Sequence, residues 1–220
     1  MTLGKLELDK LKIQLRKIDN KLRESSFRID VLSRESIQEA FQEHKDAKGL
    51  YTWYATCNPH HIKALWIKRK ALYQKYMQLN SDSNNSIKTL KGDSIKFLLP
   101  EINPKWNQDS EYNSQEYADV CLYVGAAKGN KETLRERILC HYNGSIQTSA
   151  LKLIGSTLEK QRKTNSLIKE FLAMESELID QLKLHSIYCE VILIDQSESD
   201  RLYTYERILR ECRMPLIGLQ

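Results

Sequence analysis

The sequence predicts an α+β fold: a small antiparallel three-stranded sheet flanked by helices, with an N-terminal helix and a long helical insertion between the first two strands. Three observations predict it. Two runs that pair a tyrosine with a glycine, GLYTWYAT from Gly49 and CLYVG ending at Gly125, are rich in aromatic and β-branched residues, as strands are. SIYCEVILID, residues 186–195, is an apolar run too short for a helix, with β-branched residues at its centre. Around these lie stretches whose apolar residues recur at steps of three and four, the helical spacing.

In order, residues 5–34 read as one helix. Leu8, Leu11, Leu15, Ile18, Leu22, Ile29 and Leu32 form the seam, with Ser25 its one gap. A seam of this kind suits a short coiled coil or one arm of a helical hairpin, and homodimerisation through it is one use. Gly49 then opens the first strand. Residues 57–81 carry Lys63, Lys68, Arg69, Lys70 and Lys75, no acid, and Trp66, Tyr73 and Tyr76 among them. That reads as a basic helix suited to DNA-backbone contact, or as a solvated surface. Its polar sequel, LNSDSNNS, reads as a loop. The prolines in SIKFLLPEINPKW oppose a long regular element there. Strand character returns at Asp119–Ala126, followed by a helix over 131–142. A long helix is expected over 157–184, whose broad apolar face includes Leu167, Phe171, Leu178 and Leu182. The third strand at 186–195 and a helix over 199–212 complete the chain. The organisation expected is an N-terminal helical, coiled-coil-like segment over 1–47 and a domain over 48–220, with the insertion at 56–118.

Composition narrows the function without fixing it. A chain of 220 residues can build one good core, or a domain of roughly 100–150 residues plus an appendage. A net charge of +5 and a pI near 8.8 permit nucleic-acid binding without demanding it. No apolar run approaches the roughly 18 residues a bilayer crossing needs, and no signal-peptide pattern opens the chain. The five cysteines are odd in number, scattered and free of CxxC pairs, which argues against a disulfide framework or a zinc site. Cys57, His60 and His61 lack an evident fourth ligand. A reducing, cytoplasmic compartment and no membrane partner are expected.

Gly49-Leu50-Tyr51 together with Tyr123-Val124-Gly125 resembles the paired signature of the GIY-YIG endonucleases. LRERILCHY (134–142) looks like that family's first helix, and YERILRECRMPLIG (205–218) like its terminal segment, where a glutamate precedes a proline-containing end. TSALKLIG (148–155) resembles a segment of some stand-alone members. The match covers 49–55, 119–156 and 186–218. It implies a GIY-YIG-like core with Tyr51 and Tyr123 as active-site tyrosines and Arg137 as the catalytic arginine. His141 stands at the helix histidine or tyrosine, and Glu206 at the metal-binding glutamate. The expected activity is Mg²⁺- or Mn²⁺-dependent hydrolysis of phosphodiester bonds in DNA. Three features depart from the family pattern. The insertion stands where a short hairpin turn is usual, which loop entropy tolerates, since each doubling of length costs about 0.6 kcal/mol. Ala126 replaces a frequent lysine or serine, with Lys128 a possible substitute in DNA binding. Gly218 stands where a terminal asparagine is frequent.

The residue types suit the chemistry. Phosphodiester hydrolysis needs an activated water, stabilisation of charge on the phosphoryl oxygens and help for the leaving oxygen. A glutamate holding one Mg²⁺ serves the last two and leaves most of the coordination sphere to water and phosphate. Arginine grips phosphate through a planar fork that lysine lacks. Arg137 and His141 are four apart and share a helix face, whereas Arg135 points elsewhere. Tyrosine, with a pKa near 10, needs a nearby cation to act as a base; Tyr51 is the candidate for contacting or deprotonating the water, and Tyr123 for positioning phosphate. Plainer readings stand beside these. The tyrosines can be core aromatics, Arg137 can pair with Glu136 or Glu132, His141 can be a packed or capping residue, and Glu206 can pair with Arg210. The rival functions are a nucleic-acid-binding module that keeps the fold without cleavage, and a helical interaction protein.

Overall fold

The computed structural model describes residues 5–30, 33–64, 67–68, 71, 118–128, 132–143 and 187–216. Four helices and four strands are defined within them: α1 (Lys5–Glu24), β1 (Ser26–Ile29), α2 (Arg34–Ala40), β2 (Gly49–Cys57), β3 (Ala118–Ala127), α3 (Leu134–Asn143), β4 (Ile187–Leu193) and α4 (Leu202–Arg213). A 3₁₀ turn over Gln196–Arg201 leads into α4, and residues 59–64 are helical. The expected helix over 157–184, the segment 148–155 and most of the insertion lie outside the described residues.

The sheet has four antiparallel strands, in the order β1-β4-β2-β3, not three. The fourth comes from within the expected N-terminal helix. Its seam breaks at Ser25-Ser26, whose hydroxyls donate to the carbonyls of Leu22 and Arg23 at 3.1 and 2.8 Å. Serine side chains that bond the last helical carbonyls offer the backbone an exit from the helix. The next residues switch to strand pairing, with Phe27 opposite Val191 and Ile29 opposite Cys189. A new helix then starts at a reciprocal cap. Ser36 N–H donates to Ser33 Oγ and Ser33 N–H to Ser36 Oγ, both at 2.9 Å.

Each face of the sheet buries its own core. On one, Tyr51, Trp53, Ala55, Leu122, Tyr123, Cys189 and Val191 pack under Ile37 of α2, Phe41 just after it, and Leu134 and Ile138 of α3. On the other, Leu50, Tyr54, Cys121, Val124 and Ile192 pack under Leu22 of α1 and Leu202 and Leu209 of α4. Strand alternation sorts these residues, with one exception. The β2–β3 register slips between Trp53 and Tyr54, because Trp53 faces Tyr123 whereas Tyr54 faces Cys121. Leu122 is the extra residue of a bulge, so Leu122 and Tyr123 enter the same core. Without that slip, alternation from Cys121 would carry Tyr123 to the face opposite Tyr51.

The second face also holds a buried charge network. Arg213, 5% exposed at the end of α4, donates from Nε and Nη2 to Asp19 Oδ1 at 2.9 and 2.8 Å, and from Nη1 to Thr52 Oγ1 at 2.7 Å. Its Nη2 also lies 2.8 Å from Glu190 Oε1, a charge contact without hydrogen-bond alignment. Helix α1 is thereby fastened to α4 and to the face of the sheet they share. Among the described residues, no helix is long and apolar enough to cross a membrane.

Candidate active site

The glycine–tyrosine pairs become one object in the sheet. Tyr51 on β2 lies directly opposite Gly125 on β3, and the Tyr51 ring crosses over that glycine. A Cβ on Gly125 would stand 2.3 Å from Tyr51 Oη and 2.4 Å from Cζ, well inside contact distance. Gly49 serves a second close approach. A Cβ there would meet the Ile192 carbonyl oxygen at 2.0 Å and Leu134 Cδ1 at 2.9 Å. The two glycines therefore seat the Tyr51 ring and the β2–β4 pairing beneath α3. Gly125→Ala is expected to cost about 1–3 kcal/mol, the usual penalty of overpacking. A denaturation midpoint equal to wild type would refute this packing.

Helix α3 brings the next two residues. Its start is fixed by a capping box, in which Thr133 N–H donates to Glu136 Oε2 at 2.8 Å and Glu136 N–H to Thr133 Oγ1 at 3.3 Å. Glu136 is thus a cap, and Arg137 pairs instead with Glu132, Nη1 to Oε2 at 2.8 Å. One turn on, His141 is fully buried with Nε2 2.8 Å from Tyr51 Oη. The imidazole also packs against the rings of Tyr51, Tyr123 and Trp53, with centroids 5.2, 5.0 and 6.0 Å away. Burial, and next the neighbouring Tyr123, raise the Tyr51 pKa well above its ordinary value, and the nearby Arg137 guanidinium opposes them. The phenol therefore keeps its proton at neutral pH, and the imidazole tautomer sets which partner donates in the Tyr51–His141 hydrogen bond.

Helix α4 closes the set. Tyr123, Ala126, Arg137, Tyr203, Glu206, Arg207 and Arg210 line one cleft of about 490 Å³. The cleft spans edge strand β3, with α3 reaching it from one face of the sheet and α4 from the other. The free edge of β3 is covered: Leu216 N–H donates to the Cys121 carbonyl at 2.8 Å, and Arg210 Nη2 to the Val124 carbonyl at 3.4 Å. Arg210 Nη2 also holds Glu206 Oε1 at 2.6 Å. Burial raises the Glu206 pKa, opposed by the charges of Arg210 and then Arg137. The Nε atoms of Arg137 and Arg210 are buried without a hydrogen-bond partner among the described residues. Two arginines from opposite sides of the sheet thus line one cleft of polar character, and their guanidinium charges suit an oxyanion.

Tyr51, Tyr123, Arg137, His141 and Glu206 therefore gather around this cleft and the aromatic cluster beneath it. The basic residues scatter. Lys128 Nζ lies 3.8 Å from the ring centroid of Tyr203, at the rim. Lys63 and Lys68 follow the other end of β2 and do not line the cleft; Arg69, Lys70 and Lys75 lie outside the described residues, as does Gly218. Sequence reasoning missed Tyr203 and Arg207 as cleft residues and gave Arg210 only a pairing role. The signal was present: positions 203, 207 and 210 form one stripe of a helix.

The donor set bears on a metal. Among the described residues no group of three His, Cys, Asp or Glu side chains could cage an ion. Mg²⁺ commonly takes one or two carboxylates and fills its octahedron with water and phosphate oxygens. Glu206, lining a cleft with room for several waters, fits that mode of binding. A search of known protein families, curated proteins and solved structures finds no match to this chain.

Proposed function

We propose that the chain is a metal-dependent endonuclease that hydrolyses phosphodiester bonds in DNA through a GIY-YIG-like site. The observation that carries this reading is that Tyr123, Arg137 and Glu206, from β3, α3 and α4, line one cleft, with Tyr51 of β2 and His141 of α3 buried against Tyr123 beneath it. Arg137 and Arg210 grip the phosphate. Tyr123, which lines the cleft, positions the phosphate and the attacking water, and Tyr51, fully buried behind it with Oη 2.8 Å from His141 Nε2, holds that ring cluster in place. A divalent cation, Mg²⁺ or Mn²⁺, held by Glu206 supplies charge stabilisation on the phosphoryl and leaving oxygens.

Plasmid DNA with the purified chain tests this. Nicking is expected with Mg²⁺ and none with chelator; intact plasmid across several divalent metals would sink the proposal. A second reading, a nucleic-acid-binding module without cleavage, is favoured by the Glu206–Arg210 contact of 2.6 Å, which already neutralises the carboxylate. Binding without nicking would select it. The proposal extends to a homodimer through α1, where Leu11 and Ile13 stay 44% and 55% exposed. A monomeric mass in solution at micromolar concentration would exclude that dimer.

A further inference from the structure

We propose that Tyr203 is a stacking shelf for an unpaired nucleobase, which makes DNA with single-stranded, flapped or gapped nucleotides the substrate class. The inference rests on the phosphodiesterase reading above and deepens it. Tyr203 is 56% exposed, more than any other large apolar or aromatic side chain among the described residues. The core of α4 does not need it, because Leu202 and Leu209 supply the buried side of the helix. The ring nevertheless lines the cleft that contains Arg137 and Glu206.

Its position on α4 supplies the logic. Tyr203, Arg207 and Arg210 fall four and three residues apart and form one stripe. Glu206 lies one turn from Tyr203, within about 5–6 Å between Cβ atoms. An aromatic face is thereby set one step along from two guanidinium groups and the carboxylate. Single-strand binding sites use this combination of basic groups tracking the backbone and aromatic faces for the bases. Lys128 Nζ, 3.8 Å from the ring centroid, braces the ring through a cation–π contact and adds positive charge at the rim. Bases inside an intact duplex are already stacked on both faces and must be unstacked to reach a side chain, whereas unpaired ones need not be. The shelf therefore strengthens binding of an unpaired nucleotide and leaves binding of a continuous duplex unchanged.

The test uses the full chain with Ca²⁺ in place of Mg²⁺ and oligonucleotides carrying a fluorescent adenine analogue. The probe sits in a single-stranded flap or within a blunt duplex. Wild type and Tyr203→Phe are expected to quench the flap probe. Tyr203→Ala should lose that quenching and bind the flap roughly tenfold more weakly, a modest value for base–aromatic stacking, with duplex affinity unchanged. No quenching by wild type, quenching retained by Tyr203→Ala, or equal losses on flap and duplex would each overturn the shelf. Equal quenching of an RNA flap would overturn the restriction to DNA. A nicking assay on the same proteins separates the two readings. Tyr203-dependent quenching without nicking removes hydrolysis alone; nicking with no preference for unpaired DNA removes the shelf alone.

Discussion

Arg137→Ala is expected to reduce nicking roughly 10²–10³-fold, the usual loss when one preorganised oxyanion donor is removed, with little change in stability. The guanidinium stands beside Tyr51 Oη and in the cleft with Glu206, while its own anchor, Glu132, is partly solvated. Partly exposed ion pairs contribute about 0–1 kcal/mol, so the fold should survive the change. Arg137→Lys is expected to fail nearly as badly, because an ammonium cannot serve Glu132 and a phosphate through one planar fork. Glu206→Gln should abolish nicking by a different route, removing the charge that holds the cation. Its sign on stability is instructive. Burial raises the Glu206 pKa, so the folded state holds that proton more tightly than the unfolded chain. The resulting stabilisation is present in acid and is lost as pH rises through the folded value. At neutral pH the ionised carboxylate is a local liability, and Gln keeps an acceptor for Arg210. The variant should therefore melt at or above wild type while nicking nothing. Wild-type nicking should in turn decline in mild acid, before an exposed glutamate would protonate. Full nicking by either variant would remove the residue from the mechanism.

The largest effect on stability is expected at the other face of the sheet. Asp19→Ala leaves the Arg213 guanidinium, 1% exposed at its side chain, without the carboxylate that receives two of its hydrogen bonds. Uncovering one member of a buried ion pair costs about 3–5 kcal/mol, a large fraction of a domain's total stability. Urea or thermal denaturation reads the loss directly. Because Asp19 and Arg213 are partners, their effects should not add: Asp19→Ala with Arg213→Ala should lose less than the sum of the two single losses. A loss below about 1 kcal/mol for Asp19→Ala would mean that Glu190 and Thr52 suffice. Helix α1 is accordingly part of the fold's foundation. Removing it would expose a buried charge, so truncations meant to test its role in partner binding will report on folding as well.

Strands β2, β3 and β4 and helices α3 and α4 were legible because each is written in a local period, and the observed boundaries differ from the expected ones by a few residues. Strand β1 was not. Ile29 and Leu32 extend the seam of α1 in phase, and only the two serine hydroxyls turning onto the helix end decide against it. The convergence of Tyr51 with Tyr123 was readable as a pairing of motifs, but not the means. Alternation alone places the rings on opposite faces, and a bulge has no local sequence period. The grip of Arg210 on Glu206 was foreseen as a plain i,i+4 pair; its reach to the Val124 carbonyl depends on where β3 runs. The burial of Arg213 depends on α1, nearly two hundred residues away in the chain, and no window along the sequence contains both partners.

The β2–β3 hairpin is also a ruler. Tyr51 and Gly125 face each other near one end, and Cys57 and Ala118 form the last pair at the other. The chain between residues 58 and 117 departs and returns at that far pair. Six residues of strand separate the two stations, roughly 20 Å at about 3.3 Å per residue. In duplex DNA, with a rise near 3.4 Å per step, that distance is about six base pairs, somewhat over half a helical turn. Lys63 and Lys68 follow the far station in the chain. Under the nuclease proposal, and for a duplex laid along the hairpin, a contact made at the Cys57–Ala118 pair and a cut made at the Tyr51–Gly125 pair would fall on opposite sides of the double helix.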